Sequence, residues 1–240
     1  MPDPIFADAR LAVLYDTFDG TRDDLDAYVS MVEEFGGRRI LDIGCGTGTF
    51  ASLLAERGFE VTAVDPALAS LEIARAKPFA GRVTWIHGTA VNVPAIEADL
   101  AVMTGNVAQV FLDDPDFLAT LRAARNALRP GGHLVFEVRD PAARPWERWT
   151  PAATRRCREV QGIGYVEAWT ELSDVALPLV SFRHTYRFES DGAVLASDST
   201  LRFREQAEIG DALRVTGFTL LEVRDAPDRP NLEFVFIAGR

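Results

Sequence analysis

Three glycines at alternate positions close the run Ile40-Leu41-Asp42-Ile43-Gly44-Cys45-Gly46-Thr47-Gly48. Glycine lets a backbone turn sharply and lets a ligand approach closer than any side chain allows. An apolar strand precedes the glycines and a helix follows, so the helix start offers unpaired N–H groups and partial positive charge to an anionic group. One strand later, Val61-Thr62-Ala63-Val64-Asp65-Pro66 ends in a carboxylate. At a strand tip that carboxylate can accept from both hydroxyls of a ribose, and it can also cap the helix that Pro66 opens. The pair predicts a nucleotide-like ligand with an anionic end. Two familiar phosphate loops do not fit. The dinucleotide pattern G-x-G-x-x-G/A requires a small third residue where Thr49 stands, and Gly48 comes one residue early. The G-x-x-x-x-G-K-S/T loop fails because no lysine follows the glycines.

The elements that would position this loop follow from the spacing of apolar residues. Strands are expected at Arg39–Ile43, Glu60–Val64, Val83–His87, Leu100–Thr104 and Leu134–Arg139, with nearly unbroken Val, Ile, Leu and Ala cores, as in strands covered on both faces. Helices are expected at Phe50–Arg57, Ala67–Lys77 and Asp116–Leu128, the last ended by Arg129-Pro130-Gly131-Gly132. Before this core, Arg10–Tyr15 and Leu25–Phe35 read as two short helices joined by a polar turn, Asp19–Asp24. After Asp140 the period changes from 3.6 to two. Phe182, His184, Tyr186 and Phe188 alternate with Arg183, Thr185, Arg187 and Glu189. Tyr165–Leu172 and Val194–Phe203 alternate in the same way, and Asp191-Gly192 reads as a hairpin turn. The chain then returns through a helix, Gln206–Thr216, to strands Thr219–Val223 and Leu232–Ala238. Their linker is too short for a crossover helix, so these two strands should be antiparallel neighbours. The expected fold is α/β: a doubly wound, mostly parallel seven-stranded sheet with a small antiparallel β insertion. Residues 1–37 supply N-terminal helices, 38–140 and 205–240 the core, and 141–204 the inserted lid.

The 240 residues carry a formal net charge of −11, which argues against coating nucleic acid or an anionic membrane. No apolar run approaches the ~18 residues of a membrane span, and the start MPDPIFADAR has no charged-then-apolar leader. A cytoplasmic, soluble protein is expected, with a homodimer among its expected assemblies. Two cysteines, Cys45 and Cys157, make no disulfide framework, and with three histidines they give no zinc spacing. Lys77 is the one lysine among 25 basic residues, a bias from which no function is read.

The stretch LDIGCGTGTFASLLAERG followed by VTAVDPA resembles the class I S-adenosylmethionine-dependent methyltransferases. The resemblance extends to His87-Gly88-Thr89-Ala90 after the third strand and to the fourth strand, Asp99–Asn106. It also covers Leu128-Arg129-Pro130-Gly131-Gly132-His133-Leu134 before the fifth strand and the N-terminal pair Tyr15-Asp16. It implies S-adenosylmethionine as cofactor, held by Tyr15, Asp42, Gly44, Cys45, Gly46, Gly48, Asp65, Pro66, Thr89, Ala90, Met103 and Thr104. At Thr89 the family usually has an aspartate that accepts from the adenine amino group; a threonine hydroxyl can accept there without charge.

Methyl transfer from a sulfonium is an in-line displacement, and holding the reacting atoms in line can be worth ~7–11 kcal/mol. A phenol or hydroxyl acceptor must lose a proton, whereas a neutral amine attacks directly. The Asp/Asn-Pro-Pro-Tyr/Phe tetrapeptide of methyltransferases acting on nucleic-acid amino groups is absent after the fourth strand. That absence and the acidic charge point to a small-molecule acceptor, its nucleophile N, O or C. By analogy with relatives carrying a sheet after the fifth strand, the insertion would cover the cleft. His184 is then the expected base, with Tyr165, Trp169 and Tyr186 as substrate wall. The same alternation would equally pack a sheet onto its support. Arg144, Arg148, Arg155, Arg156 and Arg158 cluster near Cys157, with Glu147 and Glu159 interspersed, as on a solvated surface. An NAD(P)-dependent oxidoreductase and a catalytically silent adenosyl-binding module are the alternatives. The first is weakened by Thr49 and by the lack of any Tyr-x-x-x-Lys pair.

Overall fold

A computed structural model describes residues 2–20, 22 and 24–240. Thr21 and Asp23 of the expected Asp19–Asp24 turn lie outside them. The central sheet is seven-stranded, in the order β10-β11-β5-β4-β1-β2-β3. Its strands are β1 (Arg39–Ile43), β2 (Glu60–Asp65), β3 (Val83–His87), β4 (Ala98–Met103), β5 (Leu128–Arg139), β10 (Thr219–Asp225) and β11 (Glu233–Gly239). β1 through β5 run parallel; β11 is antiparallel to both β5 and β10. The short final linker therefore joins antiparallel neighbours.

Alternate residues of these strands feed two cores. On one face Leu41, Met103 and Phe136 meet Phe117 and Leu121 of α7 (Asp114–Ala127) and Leu213 of α9 (Gln206–Val215). On the other, Ile40, Leu100 and Val135 meet Val32 of α4 (Leu25–Glu34) and Leu54 of α5 (Thr49–Glu56). Burial on both faces is why the strand cores read as continuous apolar runs. α6 (Leu68–Ala76) completes the layer between β2 and β3.

The inserted sheet is four-stranded and antiparallel, in the order β6-β7-β8-β9. It comprises β6 (Arg156–Val160), β7 (Gly164–Ala176), β8 (Leu179–Phe188) and β9 (Val194–Arg202). Short turns and α8 (Pro151–Thr154) lead into it. β6 was not expected as a strand: its residues, Arg156-Cys157-Arg158-Glu159-Val160, are exposed except Val160, so no apolar alternation marks them. The N-terminal segment also differs from the single helix expected at Arg10–Tyr15. It forms α1 (Pro4–Ala7), α2 (Ala9–Ala12) and α3 (Tyr15–Asp19). The extended residue Asp8 breaks the run and caps α2, accepting from the amides of Arg10 and Leu11. The Arg129–Gly132 turn is absorbed into β5. Ala98 pairs with Leu128 and Leu100 with His133, so the Pro-Gly-Gly residues bulge between two paired positions.

The N-terminal helices sit between the inserted sheet and the core. Ile5, Leu11, Leu14 and Phe18 pack against Val166, Ala168, Tyr186 and Phe188, while the Ser70 hydroxyl of α6 donates to the Phe6 carbonyl. Among the described residues no helix is long and apolar enough to cross a membrane, and no group of three His, Cys, Asp or Glu could hold a metal ion.

Candidate active site

A cavity of about 660 Å³ opens at the carboxyl ends of β1 to β4, where an open α/β sheet binds ligands. Its floor is the turn after β1. There the Gly44 and Cys45 amides donate to the Val64 carbonyl at 2.8 and 3.2 Å, bending the chain toward β2. Gly48 then starts α5 at φ +74°, in the left-handed region. A Cβ added at Gly48 would lie 2.6 Å from Ala74 Cβ and 2.6 Å from the Trp85 ring, so here glycine serves close packing. At Gly46 a Cβ would meet nothing within 4 Å, which leaves bare backbone facing the cavity.

Asp65 braces this turn. Its Oδ2 accepts from the Gly46 amide at 2.8 Å and its Oδ1 from the Ala67 amide at 2.7 Å. Burial pushes its pKa up, opposed by those two amides. The carboxyl lines the cavity with Gly44, Cys45, Gly46, Pro66, Thr89, Ala90, Thr104 and Tyr15. Thr89 forms a capping box with Asn92, so its hydroxyl is already turned toward the Asn92 side chain. The cover is tied down from above: Asp16 pairs with Lys77 Nζ at 2.6 Å, and Lys77 also donates to Thr49 Oγ1 at 2.6 Å. The lone lysine thus links α3, the glycine turn and the end of α6.

Three residues expected at the cofactor do not line the cavity. Gly48 is packed beneath it, Met103 is fully buried in the core, and Asp42 lies behind the turn. Asp42 is nonetheless conspicuous, because both its carboxylate oxygens are buried without a hydrogen-bond partner. Burial pushes its pKa up to about 7, with Asp65 and Glu137 adding to the rise and Arg22 opposing it. A buried carboxylate without a partner favours a cation or a donor nearby. Bare backbone at Gly46 and a carboxylate at Asp65 fit an adenosyl ligand in the cavity, while Asp42, outside the lining, adds only buried negative charge near the turn.

Because the fold raises the Asp42 pKa, the associated stability is present below about pH 4 and lost as pH rises through about 7. Asp42→Asn is expected to stabilise the unliganded protein by up to roughly 4 kcal/mol at about pH 8, with the gain shrinking toward about pH 4. Melting temperatures measured across that range check it; a constant difference between the proteins would contradict it.

A second cavity, about 520 Å³, borders the first across Tyr15, Arg22 and Gly105. Its wall comes from the tips of β4 and β5, from α3 and α4, and from the β10–β11 turn. Glu137, nearly fully buried, is part of that wall. The Gly105 and Asn106 amides donate to Glu137 Oε1, the second at 3.0 Å, while Oε2 is buried without a partner. The Tyr28 hydroxyl faces the same carboxyl without making a well-formed bond to Oε2. Burial, reinforced by Glu233, pushes the Glu137 pKa up to about 7. Glu137 belongs to none of the motifs legible in the sequence. Its signal was a lone carboxylate inside the apolar strand Leu134-Val135-Phe136-Glu137-Val138, where a charge is costly unless it has a task.

Neither the expected base, His184, nor the three residues expected as substrate wall, Tyr165, Trp169 and Tyr186, are among those lining either cavity. Tyr186 packs edge-on against Phe18 at 5.7 Å, and Trp169 lies under Arg155 at 4.6 Å. Tyr165 is about half exposed. His184 bonds through Nδ1 to Thr170 Oγ1 at 2.8 Å, between Phe182 and Tyr186. The reason is packing: on the aromatic face of β8, Tyr186 and Phe188 seat the inserted sheet on the N-terminal helices and Phe182 packs on Trp149. Only the edge strand β9 reaches the first cavity, through Asp198 and Thr200. Burial also pushes the His184 pKa down to about 4, so the ring is a weak base. His184→Ala is expected to cost roughly 1–3 kcal/mol of stability and to leave the pH dependence of turnover unchanged. Turnover that fell while the melting temperature held would return it to the mechanism. Arg144, Arg148, Arg155, Arg156 and Arg158 are all exposed.

Comparison with known proteins agrees with this geometry. The family described as a methyltransferase domain matches residues 21–174, and the chain belongs to it. The fold is that of the class I enzymes, whose cofactor is S-adenosylmethionine. The CcbJ methyltransferase of Streptomyces caelestis superposes with a TM-score of 0.77 at 22% identity, over 97% of this chain and 96% of that one. CalS10 of Micromonospora echinaspora, an amino pentose methyltransferase solved with S-adenosylmethionine bound, superposes with a TM-score of 0.68 at 19% identity, over 93% and 94%. In sequence, the ubiquinone biosynthesis O-methyltransferase of Idiomarina loihiensis is 32% identical over 111 residues, 46% of each chain. The aligned segment thus spans about half the length of that relative.

Proposed function

We propose that this protein transfers the methyl group of S-adenosylmethionine to a polar small molecule bound in the second cavity. The observation that carries the reading is the meeting of the two cavities at Tyr15, Arg22 and Gly105. An acceptor on one side of that boundary would face a cofactor on the other. Bound in the glycine-turn cleft, the cofactor supplies a methyl carbon activated by positive sulfur. The chain's own part is to hold the two partners in register. The Gly44–Gly48 turn and Asp65 fix one, and the tips of β4 and β5 fix the other. The lashed N-terminal helices keep water out, and orientation of this kind can supply ~7–11 kcal/mol. The named relatives include an O-methyltransferase and an amino pentose methyltransferase, which supports a small-molecule acceptor without choosing its nucleophile.

Calorimetry tests the cofactor side: S-adenosylhomocysteine is expected to bind in the micromolar range and NAD not at all. The reverse would favour the oxidoreductase reading. Ala27→Phe, which projects into the second cavity, tests the acceptor side. It is expected to leave S-adenosylhomocysteine affinity intact and to abolish methyl transfer across a broad metabolite panel. Undiminished transfer would move the acceptor elsewhere.

A further inference from the structure

We propose that the second cavity takes a protonated amine and that Glu137 removes a proton from its nitrogen before the methyl group is transferred. This deepens the methyl-transfer reading above and rests on it. The cavity's charges already pair off, with one exception. Arg22 lies 3.0 Å from Asp19 and 2.9 Å from Asp24. Arg229 lies 2.7 Å from Glu233 and 3.4 Å from Asp228. Arg139 leans on Glu233 at 3.7 Å and donates to Gln109 Oε1 at 3.0 Å. Among the described residues, Glu137 has no cation within ion-pair distance of its carboxylate. It is 3% exposed, and its Oε2 is without a partner. Asn106 Oδ1, also buried in this wall, is a second acceptor without a donor, while its amide nitrogen is spent on Glu233 at 3.3 Å.

Two orphaned acceptors around an uncompensated carboxylate define the missing group by its chemistry. It must donate more than one hydrogen bond and carry positive charge. An ammonium does both. A neutral hydroxyl brings one donor and no charge, and a phenolate or carboxylate would be repelled. The groups facing Glu137 set its proton affinity: Tyr28 from α4, Glu233 from β11, Asp42 behind it on β1 and Arg139 beside it on β5. The balance lies near neutrality, where a base is most useful.

In the step itself, the ammonium gives one proton to Glu137 Oε2 and becomes a free amine. Its nitrogen lone pair forms the new N–C bond to the methyl carbon as the C–S bond breaks. The electron pair of that bond goes to sulfur, which ends as a neutral thioether. The positive charge ends on the methylated nitrogen, and the proton held by Glu137 passes to solvent, one proton released per methyl transferred.

The test is calorimetry on the full chain saturated with S-adenosylhomocysteine. It is titrated with two matched pairs, glucosamine against glucose and cyclohexylamine against cyclohexanol. Each amine is expected to bind about tenfold or more tightly than its neutral twin, as a charge-assisted bond to a buried carboxylate requires. Glu137→Gln should erase that preference, because it keeps an oxygen for the Gly105 and Asn106 amides and loses only the charge. Equal binding of the twins, no binding of either amine, or a preference that survives in Glu137→Gln would overturn the amine assignment and leave the methyltransferase reading standing. Failure of S-adenosylhomocysteine to bind the unaltered protein would instead overturn the reading beneath it.

Discussion

Asp65→Ala is expected to weaken S-adenosylhomocysteine binding by about a hundredfold or more. Two hydroxyls donating to one carboxylate are worth roughly 1.5–3 kcal/mol each, and a hundredfold corresponds to about 2.7 kcal/mol. The structure adds a second loss. The Asp65 carboxyl also holds the Gly46 and Ala67 amides, so alanine leaves the buried Ala67 N–H and the part-buried Gly46 N–H without this acceptor and frees the turn that forms the cavity floor. Each orphaned amide costs roughly 1–3 kcal/mol. The variant should therefore melt at a lower temperature and bind weakly. Asp65→Asn, which keeps one acceptor oxygen, should fall between. Calorimetry and thermal melts on all three proteins check this, and an affinity within about threefold of the original in Asp65→Ala would remove the ribose role from this residue.

The second large effect separates two glycines only two positions apart. Gly48→Ala puts a left-handed conformation on a residue with a Cβ, at about 1–2 kcal/mol. It also drives that Cβ to 2.6 Å from Ala74 and from Trp85, and such overpacking adds about 1–3 kcal/mol. The sum, about 2–5 kcal/mol, is a large share of the roughly 5–15 kcal/mol by which a domain is stable. Urea unfolding should show a large loss of stability. At Gly46 the same methyl group meets no protein atom within 4 Å, so Gly46→Ala should fold with a cost of about 1–2 kcal/mol from backbone strain alone. Its methyl group would take up space in the glycine-turn cavity, and S-adenosylhomocysteine should bind poorly to a folded protein. If both variants behaved alike in urea, the distinction between a packing glycine and a binding glycine would be lost.

How the pieces became legible follows from the range over which each physical constraint acts. The glycine turn could be read from the chain because its demands are local. A strand must end, a backbone must turn and a helix must begin within a few residues, and Gly44, Gly46, Gly48, Asp65 and Pro66 carry those demands themselves. The parallel core was equally plain, since strands buried on both faces advertise themselves as apolar runs. The limits appear in β6, whose exposed Arg156–Glu159 segment is held by pairing with β7 and carries no apolar signature of its own.

The aromatic stripe of β8 shows a subtler limit. Period two correctly placed Phe182, His184, Tyr186 and Phe188 on one face, but a period names a face and never the neighbour that covers it. In the folded chain the N-terminal helical segment covers Tyr186 and Phe188, Trp149 covers Phe182, and none of the four lines either cavity. The second cavity was further out of reach. Tyr28, Asn106, Glu137 and Glu233 come from four separate elements and meet only when the sheet order sets β11 beside β5 and α4 over their tips. Thus the sequence alone determined the fold class, the glycine turn and the carboxylate one strand later, because short-range backbone and burial requirements suffice for them. Only the tertiary structure decided where the second cavity lies and which carboxylate in its wall is left without a counter-charge, because pairing between residues distant in the chain is a property of the assembled fold.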